Sequence, residues 1–386
     1  MRSRLPVFSL SKFSLSEFKL SEFKLPSLAV TRRGLSKLAF AAGAAALLAG
    51  ASPALAAPKK DFKVAWSIYV GWMPWGYAAD TGIVKKWADK YGLNIEVTQF
   101  NDYVESINQY TAGAFDALTV TNMDALSVPA AGGVDTTAVI VGDFSNGNDA
   151  VILKNKTKLS EIKGQKVNLV EFSVSHYLLA RALESINLSE RDVKVVNTSD
   201  ADMVAAYKTK AVTSVVTWNP LVSEILTEKS AHNVFDSSKI PGEIMDLMVA
   251  NTAVLKDNPD FGKALAGIWY ETMAIMTDPG EKGIAARTAM GKASGTDLAG
   301  FDSQLAATKL FAKAPEAVAF VKSGDVGTTM DRVRKFLFAK KLLGDNAKSA
   351  DAVGIALADG KVLGDAKNVK FRFTDTYMAA AADGKL

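Results

Sequence analysis

The sequence has no cysteine and only two histidines, His176 and His232, in 386 residues. Without a thiol there can be no disulfide, no thiolate metal site, no cysteine nucleophile and no lipidated cysteine. Two imidazoles are too few for a histidine-rich metal centre, so only a carboxylate site stays open to a metal, and nothing calls for a cofactor. No Ser-His-Asp set, phosphate-binding glycine loop or zinc motif is legible. A basic balance is also missing once the N-terminus is set aside. Residues 1–56 hold 8 of the 45 Lys and Arg but 2 of the 41 Asp and Glu, which leaves 37 against 39 and turns a formal +4 into −2. The remaining chain gives no electrostatic reason to bind nucleic acid or an anionic membrane.

What is present begins with a targeting pattern. A basic stretch leads into the apolar run Leu38 to Ala51 and then into Ala54-Leu55-Ala56, a small-residue cleavage signal. That run is too short for a membrane span of about 20 residues. Thr31 to Lys37, TRRGLSK, has the paired arginines of a twin-arginine signal, with an ordinary secretory signal as the alternative. Either route ends outside the cytoplasm. Further upstream, Phe8, Phe13, Phe18 and Phe23 recur every five residues with Leu10, Leu15, Leu20 and Leu25, a low-complexity pattern that an early-placed start codon would explain.

The 330 residues that follow exceed what one core usually supports, and short apolar runs alternate with helical periodicity, so two α/β units are expected. Strands are predicted at 63–69, 94–100, 116–121 and 137–142, with helices over 75–91 and 104–111. After the polar stretch Ser145 to Asp149, a strand at 150–153 crosses into a second unit with strands at 166–170, 193–196 and 213–218 and a helix over 175–186. The stretch YTAGAFDALTVTN, 110–122, aligns without a gap on YKTKAVTSVVTWN, 207–219, and puts Asn122 and Asn219 at equivalent strand ends. Beyond Asn251 the text reads as mainly helical, over 261–276, 305–311, 315–321 and 328–342. One lobe is expected from 57–147 and 248–386, the other from 148–247, with hinges near Ser145 to Asp149 and Met245 to Asn251. A ligand between such lobes binds beyond the carboxyl ends of the strands.

Those strand ends are acidic, amidic and aromatic. Tyr69 to Tyr77 carries four aromatics and two glycines that let backbone approach closely. Trp75 and Tyr77 suit the core, whereas Trp72 suits a site wall. The other ends supply Asn122 and Asp124, Asp143, then Glu171, Ser175 and His176, and Trp218 and Asn219. Asp124 and Ser175 also read as helix caps. The mixture suits a small planar cation or polar amide better than an anion, which would want Arg, Lys or bare helix N-termini.

The stretches AGAFDALTVTNMDAL, LSEIKGQKVNL, LLARALESINLSERDVKVV and VVTWNPLV resemble the nitrate/taurine/sulfonate and thiamine-precursor group of periplasmic binding proteins, with Lys210 and Thr213 standing where that group has a turn glycine and an aspartate. WSIYVGWMPWGYAADTGIVKKWADKYG, NDYVESINQYTAG, TNMDAL, AAGGVD and VGDFSNGND resemble, more narrowly, the periplasmic proteins of importers encoded beside urea carboxylase genes. The resemblance implies a type II periplasmic binding fold, two α/β lobes with a ligand cleft and a helical C-terminal extension. It further implies a monomer in the periplasm that hands guanidinium or urea to an ABC permease and its ATPase. Trp72, Asp124, Asp143, Glu171 and Trp218 are the residues the resemblance carries into the cleft, with Asn122, Asn219 and Asp246 behind them. A pyrimidine precursor or alkylsulfonate on the same scaffold is one rival, and a purely structural partner another. An enzyme is a third, but the pyrimidine-forming synthase of this group needs a cysteine-rich segment.

Overall fold

The computed structural model describes residues 59–344 and 346–386. The expected export signal, with Arg32, Arg33 and Ala54-Leu55-Ala56, lies outside the described residues. The fold is α/β with two sheets. Fourteen strands follow in order: β1 Asp61–Ser67, β2 Asn94–Phe100, β3 Ala117–Thr121, β4 Thr136–Ser145, β5 Asp149–Lys154, β6 Lys166–Leu169, β7 Lys194–Asn197, β8 Ser214–Trp218, β9 Ala231–Asp236, β10 Met245–Asn251, β11 Thr308–Leu310, β12 Gly354–Ala356, β13 Val362–Leu363 and β14 Val369–Phe373. The nine-stranded sheet runs β13-β12-β14-β4-β10-β3-β1-β2, with β11 added on β4, and the five-stranded sheet runs β7-β6-β8-β5-β9.

Each sheet contains one strand delivered from the other. β4 of the large sheet leads directly to β5, which pairs antiparallel with β8 and β9 of the small one. β9 leads back to β10, which pairs antiparallel with β3 and β4 at the centre of the large sheet. β3 and β4 are buried almost throughout, and β10 is buried except for Asn251. Their apolar runs therefore read as central strands, covered on both faces.

Several sequence expectations are corrected. The single helix over 75–91 is two, Met73–Asp80 and Ile83–Lys90, because Gly82 adopts a left-handed φ of 78° that closes the first and opens the second. The helix expected over 305–311 ends at Ala306, and Thr308–Leu310 pairs with β4 instead. The C-terminal part is helical over Pro259–Met276, Ala314–Val321 and Gly324–Ala339, but it also supplies four strands of the large sheet. Met245–Asn251, expected as a hinge, is a strand hydrogen-bonded on both sides, and the chain passes between sheets over residues 237–244. Among the described residues no helix is long and apolar enough to cross a membrane.

Candidate functional site

The carboxyl ends of β1, β3 and β4 meet the start of β10, because β10 enters the sheet antiparallel. In that register Asp246 stands opposite Asp143 on one side and Thr121 on the other. The small sheet repeats the arrangement, with Asp149 at the start of β5 opposite Trp218 at the end of β8. Two antiparallel strands thus each bring an aspartate to the place where parallel strands finish.

All these groups are buried. Asp143 is 0% exposed and Asp246 4%. The Tyr69 hydroxyl donates to Asp143 Oδ1 at 3.2 Å, while Asp143 Oδ2 and Asp246 Oδ2 have no hydrogen-bond partner. Asp149 accepts the Ser145 hydroxyl, and Asp124 accepts the Tyr103 hydroxyl at 2.7 Å and the Thr121 hydroxyl at 2.9 Å. Burial of the charged form pushes Asp124 up to about 6 and Asp143 and Asp149 up to about 7. Asp246 is raised well above the carboxylate range, first by burial and then by repulsion from Asp143. The same burial raises Tyr69 and Tyr103, which stay protonated and serve as donors.

Four rings enclose the carboxyls. Tyr69 lies edge-on to Trp72 at 5.2 Å, Trp72 is tilted on Tyr103 at 5.6 Å, and Tyr103 lies edge-on to Trp218 at 5.7 Å. The Trp72 indole N–H is buried without an acceptor. Gly71 makes room here: a Cβ at that position would stand 2.5 Å from Asp143 Oδ2 and 2.6 Å from the Tyr69 ring. Tyr69, Trp72, Tyr103, Thr121, Asp149, Val174, Trp218, Ile244 and Asp246 bound a pocket with about 280 Å³ of free space. That figure includes space open to solvent, and only a small part of it can take a water-sized group, so the occupant is small. No Lys or Arg is among these walls. Among the described residues no group of three His, Asp or Glu has a metal-holding arrangement.

Of the residues singled out from sequence, the structure brings Trp72, Trp218 and Asp246 to this pocket, with Asp143 just behind Tyr69 and Asp246 and Asp124 just behind Tyr103 and Thr121. The others are placed elsewhere. Glu171 is turned aside by the next residue, Phe172, whose φ is 66° and whose ring is 44% exposed; its own N–H is taken by Asn197. His176 is buried between the Phe172 N–H at 3.1 Å and Glu190 at 3.1 Å, which uses both ring nitrogens. Ser175 is fully buried in the first turn of helix Val174–Ser185, one residue beyond the pocket wall, with its hydroxyl unpartnered. Asn122 spans the Glu243 carbonyl and the Met245 N–H, and Asn219 spans Asn148 and Ser223, so both tie a strand end to a segment between the sheets. Their equivalence is structural.

Tyr69, Tyr103 and Asp149 were missed as site residues. Asp149 had a signal, since it precedes the apolar run Ala150 to Leu153 as Asp246 precedes Leu247 to Ala250. Tyr103 had none, because its role depends on packing between distant segments.

The sequence model of the NMT1-like family matches residues 64–290. A protein of Brucella abortus strain 2308, named only provisionally as a binding protein, is 24% identical over 203 residues, which are 51% of this chain; the chain spans 61% of that relative's length. The alkanesulfonate-binding protein SsuA of Xanthomonas axonopodis pv. citri, bound to MOPS, superposes with a TM-score of 0.61 at 15% identity, over 77% of this chain and 99% of that one. The aliphatic sulphonate binding protein SsuA of Escherichia coli gives 0.60 at 17% identity, over 75% and 95%. At these identities the likeness shows the fold, that of periplasmic binding proteins.

Proposed function

We propose that this chain, which belongs to the NMT1-like family, is the exported solute-binding component of an ABC-type importer and captures guanidinium. Relatives whose names carry a role are named binding proteins, two of them periplasmic or sulfonate-specific, which supports a binder rather than an enzyme. The ligand bridges the two sheets' carboxylates, and closure about residues 146–148 and 237–244 then presents one docking surface to a membrane permease. The protein works in the periplasm as a monomer.

One observation carries the ligand assignment: two buried aspartates, Asp149 and Asp246, and four rings wall a small pocket that holds no cation in its walls, and two further buried aspartates, Asp124 and Asp143, stand directly behind them. A sulfonate or nitrate would meet carboxylate repulsion there. Guanidinium, permanently charged and flat, gives N–H donors to Asp143 Oδ2 and Asp246 Oδ2 and stacks on indole, at about 0.5–2 kcal/mol for stacking and about 1.5–3 kcal/mol per charge-assisted hydrogen bond. The resemblance to importers encoded beside urea carboxylase genes fits guanidinium and urea alike.

Urea is the second reading, favoured by the raised carboxyls themselves, since a protonated Asp246 can donate to a carbonyl oxygen. Calorimetric titration of refolded, ligand-free mature protein with guanidinium chloride and with urea separates them. Tight one-to-one guanidinium binding is expected, strengthening as pH rises from about 5 to about 8 because the cation needs ionised carboxylates. Tight urea binding that weakens above pH 7 overturns the cation assignment, and silence from both overturns the ligand class.

A further inference from the structure

A second, wider pocket lies next to the first. It has about 1270 Å³ of free space, including the part open to solvent, and its walls include Ile68, Asn101, Asp200, Trp218, Glu224 and Gln304. Trp218 is the one residue that lines both pockets. The Tyr103 ring, edge-on to Trp218, stands in the same partition, and its backbone N–H donates to Asp200 Oδ2 at 3.3 Å.

Two acceptors in this outer pocket are left over. Asp200, at the start of helix Asp200–Lys208, is 8% exposed, and its Oδ1 is buried without a partner. Gln304, in the last turn of helix Leu298–Ala306, is 2% exposed, and its Oε1 likewise has no partner. Buried acceptors in this state favour a donor that reaches both. The charge around them is of one sign. No Lys or Arg is among the walls, Asp102 is the charged neighbour acting on Asp200, and Glu224 is already paired with Lys208 at 3.0 Å. An indole face beside an unpaired buried carboxylate is the same pairing that builds the inner pocket.

We propose that the outer pocket is a second, weaker site for a small flat organic cation, held by Asp200 and Gln304 against Trp218, from which the ligand passes to the inner pocket. The identity of that cation rests on the reading of the inner site given above. The outer site is weaker because solvent screens its charge, and its use is to concentrate the ligand at the partition before the indole moves.

The test uses the mature protein carrying Asp246→Asn, which weakens the inner pocket, labelled with ¹⁵N and titrated with guanidinium chloride against sodium chloride of equal ionic strength. Saturable shifts are expected at the amides of Ala201 and Gly295 and at the Trp218 indole N–H. Adding Asp200→Asn weakens that saturation by at least about tenfold, the loss of one charge-assisted hydrogen bond, and Gln304→Leu weakens it less. Should the Asp200 variant fail to fold, Gln304→Leu carries the comparison. Absence of saturation in the Asp246→Asn protein, or an unchanged midpoint in the folded second-site variants, overturns the outer site. A tight step in the wild type without outer saturation leaves the inner reading standing alone. Outer saturation without any tight wild-type step does the reverse.

Discussion

At the inner pocket four aspartates are buried with no basic side chain in the walls, whereas at the groove between helices Val174–Ser185 and Gly324–Ala339 the acids have resident partners. There Glu243 receives Arg181 Nε at 2.9 Å, Arg332 at 3.0 Å and the Tyr177 hydroxyl, and Glu190 receives Lys340 and His176. The consequences are opposite in sign. Burial raises the pocket aspartates; burial would also raise Glu190, but its hydrogen bonds to His176 and Lys340 outweigh it and the carboxyl titrates below its usual range. What separates a receptor for a cation from a structural ion pair is therefore a resident counter-charge, and burial alone does not decide it.

The largest effect that tests this contrast is the pH dependence of the ligand-free protein. Asp124, Asp143 and Asp149 titrate at about 6, 7 and 7 when folded, against about 3.9 unfolded. The folded state holds the extra protons between these values, so stability falls as pH rises from about 4 to about 7, by several kcal/mol in order of magnitude. Scanning calorimetry should show the Tm falling over that range, and saturating guanidinium should remove most of the slope. A flat Tm without ligand would mean that the aspartates find a counter-charge after all.

Asp246→Asn comes next. Its loss of one charge-assisted contact lowers guanidinium affinity by about 1.5–3 kcal/mol, read by titration calorimetry. Without ligand the same variant should be more stable than the wild type, increasingly so as pH rises, because a buried acid that repels Asp143 has gone. A variant that loses both affinity and stability would put Asp246 with the structural pairs.

The smallest effect belongs to the groove. Lys340→Ala should cost about 1 kcal/mol or less near neutral pH in urea denaturation, since both partners are partly exposed. Because Glu190 is depressed, that contribution is present above the unfolded carboxylate value of about 4.3 and disappears as pH falls through the lower folded one. An increase of the cost at low pH would contradict the pairing.

Most of the residues read from the sequence that lie at or beside the pocket follow or end a strand. Trp72, Asp143 and Trp218 follow or finish apolar runs, so the pleat and the parallel order set their position. Asp149 sits at a strand's beginning, and only the antiparallel entry of β5 brings it to the pocket, a fact of topology that local periodicity does not carry. Glu171 failed for a local reason, the left-handed Phe172 that redirects the loop. The short C-terminal strands β12 and β13 are illegible because two or three residues do not establish a period of two, and β14 depends on pairing with β4, over 200 positions away in sequence.

Asp149 and Asp246 each stand at the first or second residue after the chain crosses between sheets. In the closure proposed above, those crossings are the fulcrum, and an ion held beside a fulcrum works on a short arm. It needs to draw its carboxylates only slightly to swing the far rim a long way, but it exerts little torque in doing so. Arg332 with Glu243 sits at a crossing, whereas Lys340 with Glu190 joins residues away from those crossings and acts on the longer arm. A weak pair placed there has more leverage over how far the protein shuts than its modest strength suggests, which makes the rim the place to tune release without touching the ligand.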